Sequence, residues 1–191
     1  MRPSSACARC VLLAASVAIV SCAHPKITPV GEATVTIEGQ VALAGDSLDN
    51  AIVLEDAGGR VCALTSPVLD YELRSLAGLV VRVTGKLLGS SAGGPEFLVE
   101  SYELMPVNGQ RPVVGVIAAG EGAVILTDSR SGATYLLVGP LAGALGGYTG
   151  FKVWVSGPVA PAAATGSRED MMTVESYGVL VPVAGATGRT P

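Results

Sequence analysis

The chain writes its body twice. Leu76-Ala77-Gly78-Leu79-Val80-Val81-Arg82-Val83-Thr84-Gly85 returns as Tyr148-Thr149-Gly150-Phe151-Lys152-Val153-Trp154-Val155-Ser156-Gly157. Ile52-Val53-Leu54-Glu55-Asp56 returns as Val124-Ile125-Leu126-Thr127-Asp128, and Val99-Glu100-Ser101-Tyr102 returns as Val174-Glu175-Ser176-Tyr177. Three blocks recur in one order at an offset of about 72 to 75 residues, which is the mark of a duplicated domain. Each copy must therefore close a core within about 70 residues, near the lower limit for independent stability. The two copies are expected to pack on each other.

Within a copy the apolar period is two. Val35, Ile37, Gly39 and Val41 alternate with polar neighbours, as in a half-buried strand. A loop over 42–50 leads to a second strand, Ala51 to Glu55. The turn Asp56-Ala57-Gly58-Gly59 precedes a third, Arg60 to Thr65. Leu69, Leu73 and Leu76 then fall at helical spacing, and Gly78 stands where a helix would stop. A fourth strand spans Leu79 to Leu87, a loop 89–95, and a fifth strand Glu96 to Leu104. The second copy predicts strands at Val113 to Ala118, Gly122 to Asp128, Ala133 to Val138, Gly150 to Gly157 and Met171 to Leu180. Its helix is replaced by the Gly-rich Pro140 to Gly147, expected to form a turn, and a long loop covers Pro158 to Asp170.

Five short strands with a helix between the third and fourth resemble the OB-fold, a partly open Greek-key barrel. Gly39 and Gly115 suit a first strand that bends to serve two sheets. The segment Leu76 to Leu87 with Phe97 to Leu104 is similar to bacterial OB-fold envelope domains, in which a G-x-x-V-x-V-x-G strand precedes the last strand. The fold expected is all-β with a short helix: tandem five-stranded OB-fold-like barrels over 34–107 and 111–183, with a disordered tail over 184–191. A β-sandwich or an SH3-like barrel remains the rival.

The N-terminus reads as an address. Arg2 and Arg9 precede an apolar stretch, Val11 to Val20, too short to span a bilayer as a helix of roughly 20 residues. Ile19-Val20-Ser21-Cys22 resembles the bacterial lipobox. That resemblance implies a signal peptide over 1–21, lipidation of Cys22 after cleavage, and a tether over 22–33. More than one acyl chain is needed for stable anchoring, at about 0.8 kcal/mol per buried CH₂. Ala23 after the Cys favours the outer over the inner membrane, by resemblance to enterobacterial sorting. Cys62 is then the one thiol of the mature domain, so no internal disulfide forms.

The formal net charge is −4, and removing 1–21 with its two Arg makes it about −6. An acidic chain with few aromatics is expected not to bind nucleic acid, whose phosphates need a basic face. His24, the sole histidine, lies in the tether, so a Ser-His-Asp or Cys-His mechanism has no base in the folded region. Zinc sites fail for the same reason, and no P-loop or dinucleotide fingerprint appears. No metal or other cofactor is expected. Asp46, Asp49, Glu55 and Asp56 match no calcium loop; Asp56 and Asp128 read instead as hairpin caps. Cys62 reads as a small buried hydrophobe.

The duplicated strands put Val99 and Ser101, and Val174 and Ser176, on the inner face. Glu100 with Tyr102 and Glu175 with Tyr177 then take the outer face, where the Tyr hydroxyls can reach a loop or the other barrel. Lys152 and Trp154 share the outer face of their strand, which makes Trp154 a candidate for the inter-barrel contact or a ligand surface. Trp154, Tyr135, Tyr102 and Tyr177 are the candidate contact residues. A ligand is expected on strands two and three, framed by loops 42–50 and 88–95, or 118–122 and 158–170. The chain reads as a noncatalytic, membrane-tethered envelope lipoprotein, a binding or scaffold module with an envelope protein or glycan as partner. The alternatives are a carboxylate-dependent glycan-acting enzyme, which needs two acids converging in one groove, and a structural partner of an outer-membrane assembly; Glu100 and Glu175, one in each barrel, read instead as a solvated strand face.

Overall fold

A computed structural model describes residues 34–45, 50–91, 94–120, 122–166 and 168–182. The signal peptide, Cys22, the tether, Asp46, Asp49 and the tail over 184–191 lie outside these residues. The described residues belong to one compact unit. The fold is all-β with short helices.

The first repeat is a closed barrel of β1 (Val35–Ala44), β2 (Ala51–Glu55), β3 (Val61–Thr65), β4 (Val80–Ser91) and β5 (Gly94–Leu104), in the order β1-β2-β3-β5-β4. β3 and β5 run parallel, and the remaining pairs are antiparallel. The expected loop over 89–95 is mostly strand, because β4 and β5 continue as an extended hairpin. Helix α1 (Asp70–Ser75) begins where Ser66 Oγ accepts from Leu69 N at 3.1 Å, with Asp70 and Glu72 in its first turn where the helix dipole favours acids. Leu73 and Leu76 are fully buried and plug one end of the barrel.

The second repeat uses β6 (Val113–Gly120), β7 (Ala123–Asp128), β8 (Thr134–Val138), β9 (Phe151–Ser156), β10 (Val159–Ala160), β11 (Asp170–Thr173) and β12 (Ser176–Pro182), ordered β10-β11-β8-β7-β6-β9-β12. The sheet follows the circuit of the first barrel but is not closed as the first is, because the strand that matches β5 is cut in two. β11 pairs parallel with β8, as β5 does with β3, while β12 pairs antiparallel with β9, as β5 does with β4. Between them Val174 N donates to Val138 O and Glu175 N to Ser156 O, at 2.9 and 3.0 Å. The expected turn over Pro140 to Gly147 contains a short helix α2 (Ala142–Leu145) followed by a 3₁₀ turn, Gly146–Tyr148. Leu145 is fully buried and takes the part Leu73 plays in the first copy. The long loop carries β10 and a third short helix, α3 (Ala162–Thr165).

One expectation about faces is corrected. β4 and β5 slip register where Thr84 faces Ser101 but Gly85 faces Val99, so Glu100 is an extra residue, a β-bulge. Side-chain phase flips there: Phe97 and Val99 are buried, Ser101 is exposed, and Tyr102 and Leu104 turn back to the first core. The second copy breaks its strand at the matching Glu175.

The duplicated glycines occupy duplicated close approaches. A Cβ on Gly39 would overlap the Glu55 carbonyl, and one on Gly115 the Thr127 carbonyl. Here β1 and β6 fold tightly over the ends of β2 and β7, and no side chain fits.

Candidate functional site

The two barrels meet along α1, β9 and β12. Trp154 is 7% exposed and packs with Leu180 into the core of the first barrel rather than its own. Gly178 lies opposite it on β12, and a Cβ there would strike the indole nitrogen. In the first copy Arg82 stands at the matching position and pairs with Glu38 at 2.9 Å. The duplicate has thus exchanged a solvated ion pair for an apolar anchor.

Beside Trp154 a polar bridge crosses the seam. Lys152 Nζ donates to both Glu72 oxygens, at 2.9 and 2.7 Å, and Tyr102 Oη donates to Glu72 Oε2 at 2.5 Å. Glu72 is 8% exposed, and the two donors satisfy a carboxyl group that burial has taken out of water. Burial, then the hydrogen bond and the charge of Glu72, push the Tyr102 phenol well above its ordinary value of 10.0, and it stays a donor. Ser75 Oγ also donates to Leu180 O at 3.2 Å, and Ser156 Oγ to Val107 O at 3.2 Å. Val107 begins the tight turn to Gln110 that joins the copies; Asn108 and Gly109 sit there in left-handed conformations, at φ 51 and 78.

Above this seam opens a cleft of about 690 Å³, within the usual range for small-molecule sites. The end of β5 (Glu100 to Leu104) forms one wall and the β7–β8 hairpin (Asp128 to Ser131) another. Arg111 stands at the entry to β6, with Tyr135 and Lys152 behind. Asp128 caps the hairpin as expected, accepting from Arg130 N at 2.8 Å and from Ser131 Oγ at 2.5 Å. Burial pushes its carboxyl up, but the bonds from Ser131 and Arg130 outweigh that and hold it below the usual value. Asp56 caps the first hairpin, accepting from Arg60 N, from the Arg60 guanidinium and from Gly58 N, and these bonds hold its carboxyl low. Tyr135 is raised by burial and by the charges of Asp128 and Asp170.

The candidate residues separate. Tyr102 and Tyr135 line the cleft, Trp154 is sealed into the seam, and Tyr177 packs on the second core. Glu72, Arg111 and Arg130 are the residues that sequence reasoning missed. Of the expected ligand faces on strands two and three, the cleft takes in the β7–β8 hairpin and Tyr135, while in the first barrel a second hollow of about 470 Å³ is lined by Val61, Leu87 and Phe97. Cys62 lines it; burial and then Glu96 push its thiol up, away from reactivity. Among the described residues no three His, Cys, Asp or Glu gather to hold a metal. Glu100, Glu103 and Asp128 share the cleft but are engaged: Glu100 faces Lys86 at 3.9 Å, Glu103 meets Arg111 at 2.6 Å, and Asp128 serves its turn.

No protein-family model and no curated protein matches the chain. Among solved structures it is similar to the wild-type single-stranded DNA binding protein from Thermus aquaticus, at 12% identity and a TM-score of 0.26, covering 82% of this chain and 84% of that one. The expectation that excluded nucleic acid is corrected, because net charge alone does not exclude it. The exclusion rested on charge summed over the whole chain, whereas binding depends on local charge, and the cleft sets Arg111, Arg130 and Lys152 beside Glu100, Glu103 and Asp128. At this TM-score the likeness carries no argument about what the present chain binds.

Proposed function

We propose that the chain is a noncatalytic, membrane-tethered envelope lipoprotein whose binding site is the cleft between its barrels. The cleft carries this reading, because it is built from both copies at once. Tyr102 and Glu103 come from the first barrel, and Arg130 and Tyr135 from the second. The bridge of Glu72, Lys152 and Tyr102 and the anchor Trp154 hold the walls in place beneath it, which is the preorganisation a binding site needs. Ile19-Val20-Ser21-Cys22 supports the tether. No helix among the described residues is long and apolar enough to cross a membrane.

Two measurements test the reading together. Growth of an expressing bacterium with a labelled fatty acid should label the full chain, and Cys22→Ser should abolish the label. Native mass spectrometry of chain extracted from those membranes should show a bound species that is lost in Tyr135→Ala. An unlabelled chain overturns the tether. A bound species that persists in Tyr135→Ala overturns the cleft.

A further inference from the structure

We propose that the cleft grips its ligand by an oxyanion, a carboxylate or phosphate group, held between the guanidinium groups of Arg111 and Arg130. The inference rests on the reading above that the cleft is the binding site, and it adds the chemistry of the ligand. Arg111 Nη2 lies 2.6 Å from Glu103 Oε1, and Arg130 Nη1 lies 3.5 Å from the same oxygen. Arg82 Nη1 approaches the other Glu103 oxygen at 3.9 Å, while its Nη2 bonds Glu38 at 2.9 Å. A guanidinium carries five N–H donors, and a carboxylate offers about four lone-pair sites. One carboxylate shared by three guanidinium groups leaves most of their donors unfilled.

Those donors face the cleft. The Arg111 and Arg130 side chains are 72% and 68% exposed, and both line the cavity. Glu100 and Asp128 also line the cleft, but Glu100 faces Lys86 at 3.9 Å and the two Asp128 oxygens are taken by Arg130 N and Ser131 Oγ of its own turn. The unfilled capacity is therefore one of directed donors rather than net charge. Paired forks of this kind match the planar carboxylate and the phosphate.

Comparison of the repeats points the same way. Where the first hairpin reads Asp56-Ala57-Gly58-Gly59, the second reads Asp128-Ser129-Arg130-Ser131. The cap is kept and Gly59 is matched by Gly132, but the second hairpin is one residue longer and carries Ser129, Arg130 and Ser131 where the first has only Ala57 and Gly58. Tyr135 stands where the first copy has Cys62, opposite Leu126 as Cys62 is opposite Leu54. Its raised phenol stays protonated, a further donor beside the two forks.

The test uses the full chain in detergent at low salt, titrated by calorimetry with inorganic phosphate and separately with succinate. At least one should bind saturably below about 10 mM, and the tighter of the two identifies the oxyanion. Arg111→Gln and Arg130→Gln should each weaken binding about tenfold. Glu103→Gln removes the competing carboxylate and should strengthen it several-fold, whereas Arg60→Gln, on the first hairpin and outside this cleft, should leave it unchanged. Circular dichroism confirms that each variant is folded. Absence of saturable binding by either anion, or weaker binding in folded Glu103→Gln, overturns the proposal. Should both anions fail while the membrane-extracted chain still carries a species lost in Tyr135→Ala, the oxyanion falls and the cleft stands.

Discussion

Lys152 Nζ and Glu72 Oε2 stand 2.7 Å apart across the seam between the two barrels, in a site where Glu72 is 8% exposed. Neither residue has a charged counterpart in the other copy: Lys152 matches Val80, and Glu72 matches Ala144. The bridge therefore belongs to the interface and is not a feature the two repeats share. A desolvated ion pair contributes less than its Coulomb energy suggests, but removing one partner strands the other. Lys152→Ala should destabilise the chain by about 2–4 kcal/mol, somewhat less than a fully buried pair because the Lys side chain keeps 24% exposure. The double change Glu72→Gln with Lys152→Met should recover most of that loss, since Tyr102 keeps an acceptor. Urea unfolding of the three proteins checks this; a double variant no more stable than Lys152→Ala would contradict it.

Trp154 is the chain's single Trp, and its indole lies in the core of the other barrel. Its emission therefore reports docking of the barrels rather than folding of either one. The native spectrum should be blue-shifted, and fluorescence and far-ultraviolet circular dichroism should follow one unfolding curve. Trp154→Ala should cost about 3–5 kcal/mol through the cavity it leaves. Trp154→Arg, which installs the residue the first copy carries at this place, should split the unfolding monitored by circular dichroism into two steps.

Much of this arrangement is legible in the residues. Period-two patterning places β2 at Ala51–Glu55, and duplication predicts its partner in β7. Lys152 and Trp154 are readable as one outer face because their neighbours Val153 and Val155 are core residues. Three features are not legible, each for a physical reason. The bulge at Glu100 inverts the faces after it, and an alternation rule cannot register one extra residue until the partner strand is known. Helix α2 forms from Ala142-Gly143-Ala144-Leu145, where Gly lowers local propensity and the burial of Leu145 overrides it. Glu72 looks like a solvated helix residue next to Leu73, because the barrel that buries it lies 80 residues further along the chain.

The two hairpin caps tie stability to acid. Asp56 and Asp128 both titrate below the ordinary value of 3.8 in the folded chain. A carboxyl whose folded pKa is depressed stabilises the fold above its unfolded pKa, and that stabilisation disappears as pH falls through the folded value. Stability should therefore be level with respect to these two groups at neutral pH and decline from about pH 4 downward. In Asp128→Asn the decline should be shallower, because one of the two linked protons is gone. Urea midpoints measured from pH 6 to pH 2 decide it: parallel curves for the two proteins would show that Asp128 takes up no extra proton on unfolding.

Gly39 and Gly115 offer the sharpest test of the duplicated architecture, because the same obstacle recurs in both copies. A Cβ at Gly39 meets the Glu55 carbonyl and the Leu54 side chain, and one at Gly115 meets the Thr127 carbonyl and Leu126. The obstruction is backbone and cannot rotate away, so relief requires β1 to lift from β2, or β6 from β7. Gly39→Ala and Gly115→Ala should each destabilise by about 2–4 kcal/mol, as overpacking against an immovable group does. Gly147→Ala, where an added methyl meets open space, serves as the comparison and should shift the urea midpoint little. Because Trp154 and Leu180 bind the two cores into one seam, the loss from either glycine should be felt in the whole transition. A Gly115→Ala protein whose fluorescence transition is unmoved while circular dichroism shows early loss of β-structure would mean that the barrels unfold independently.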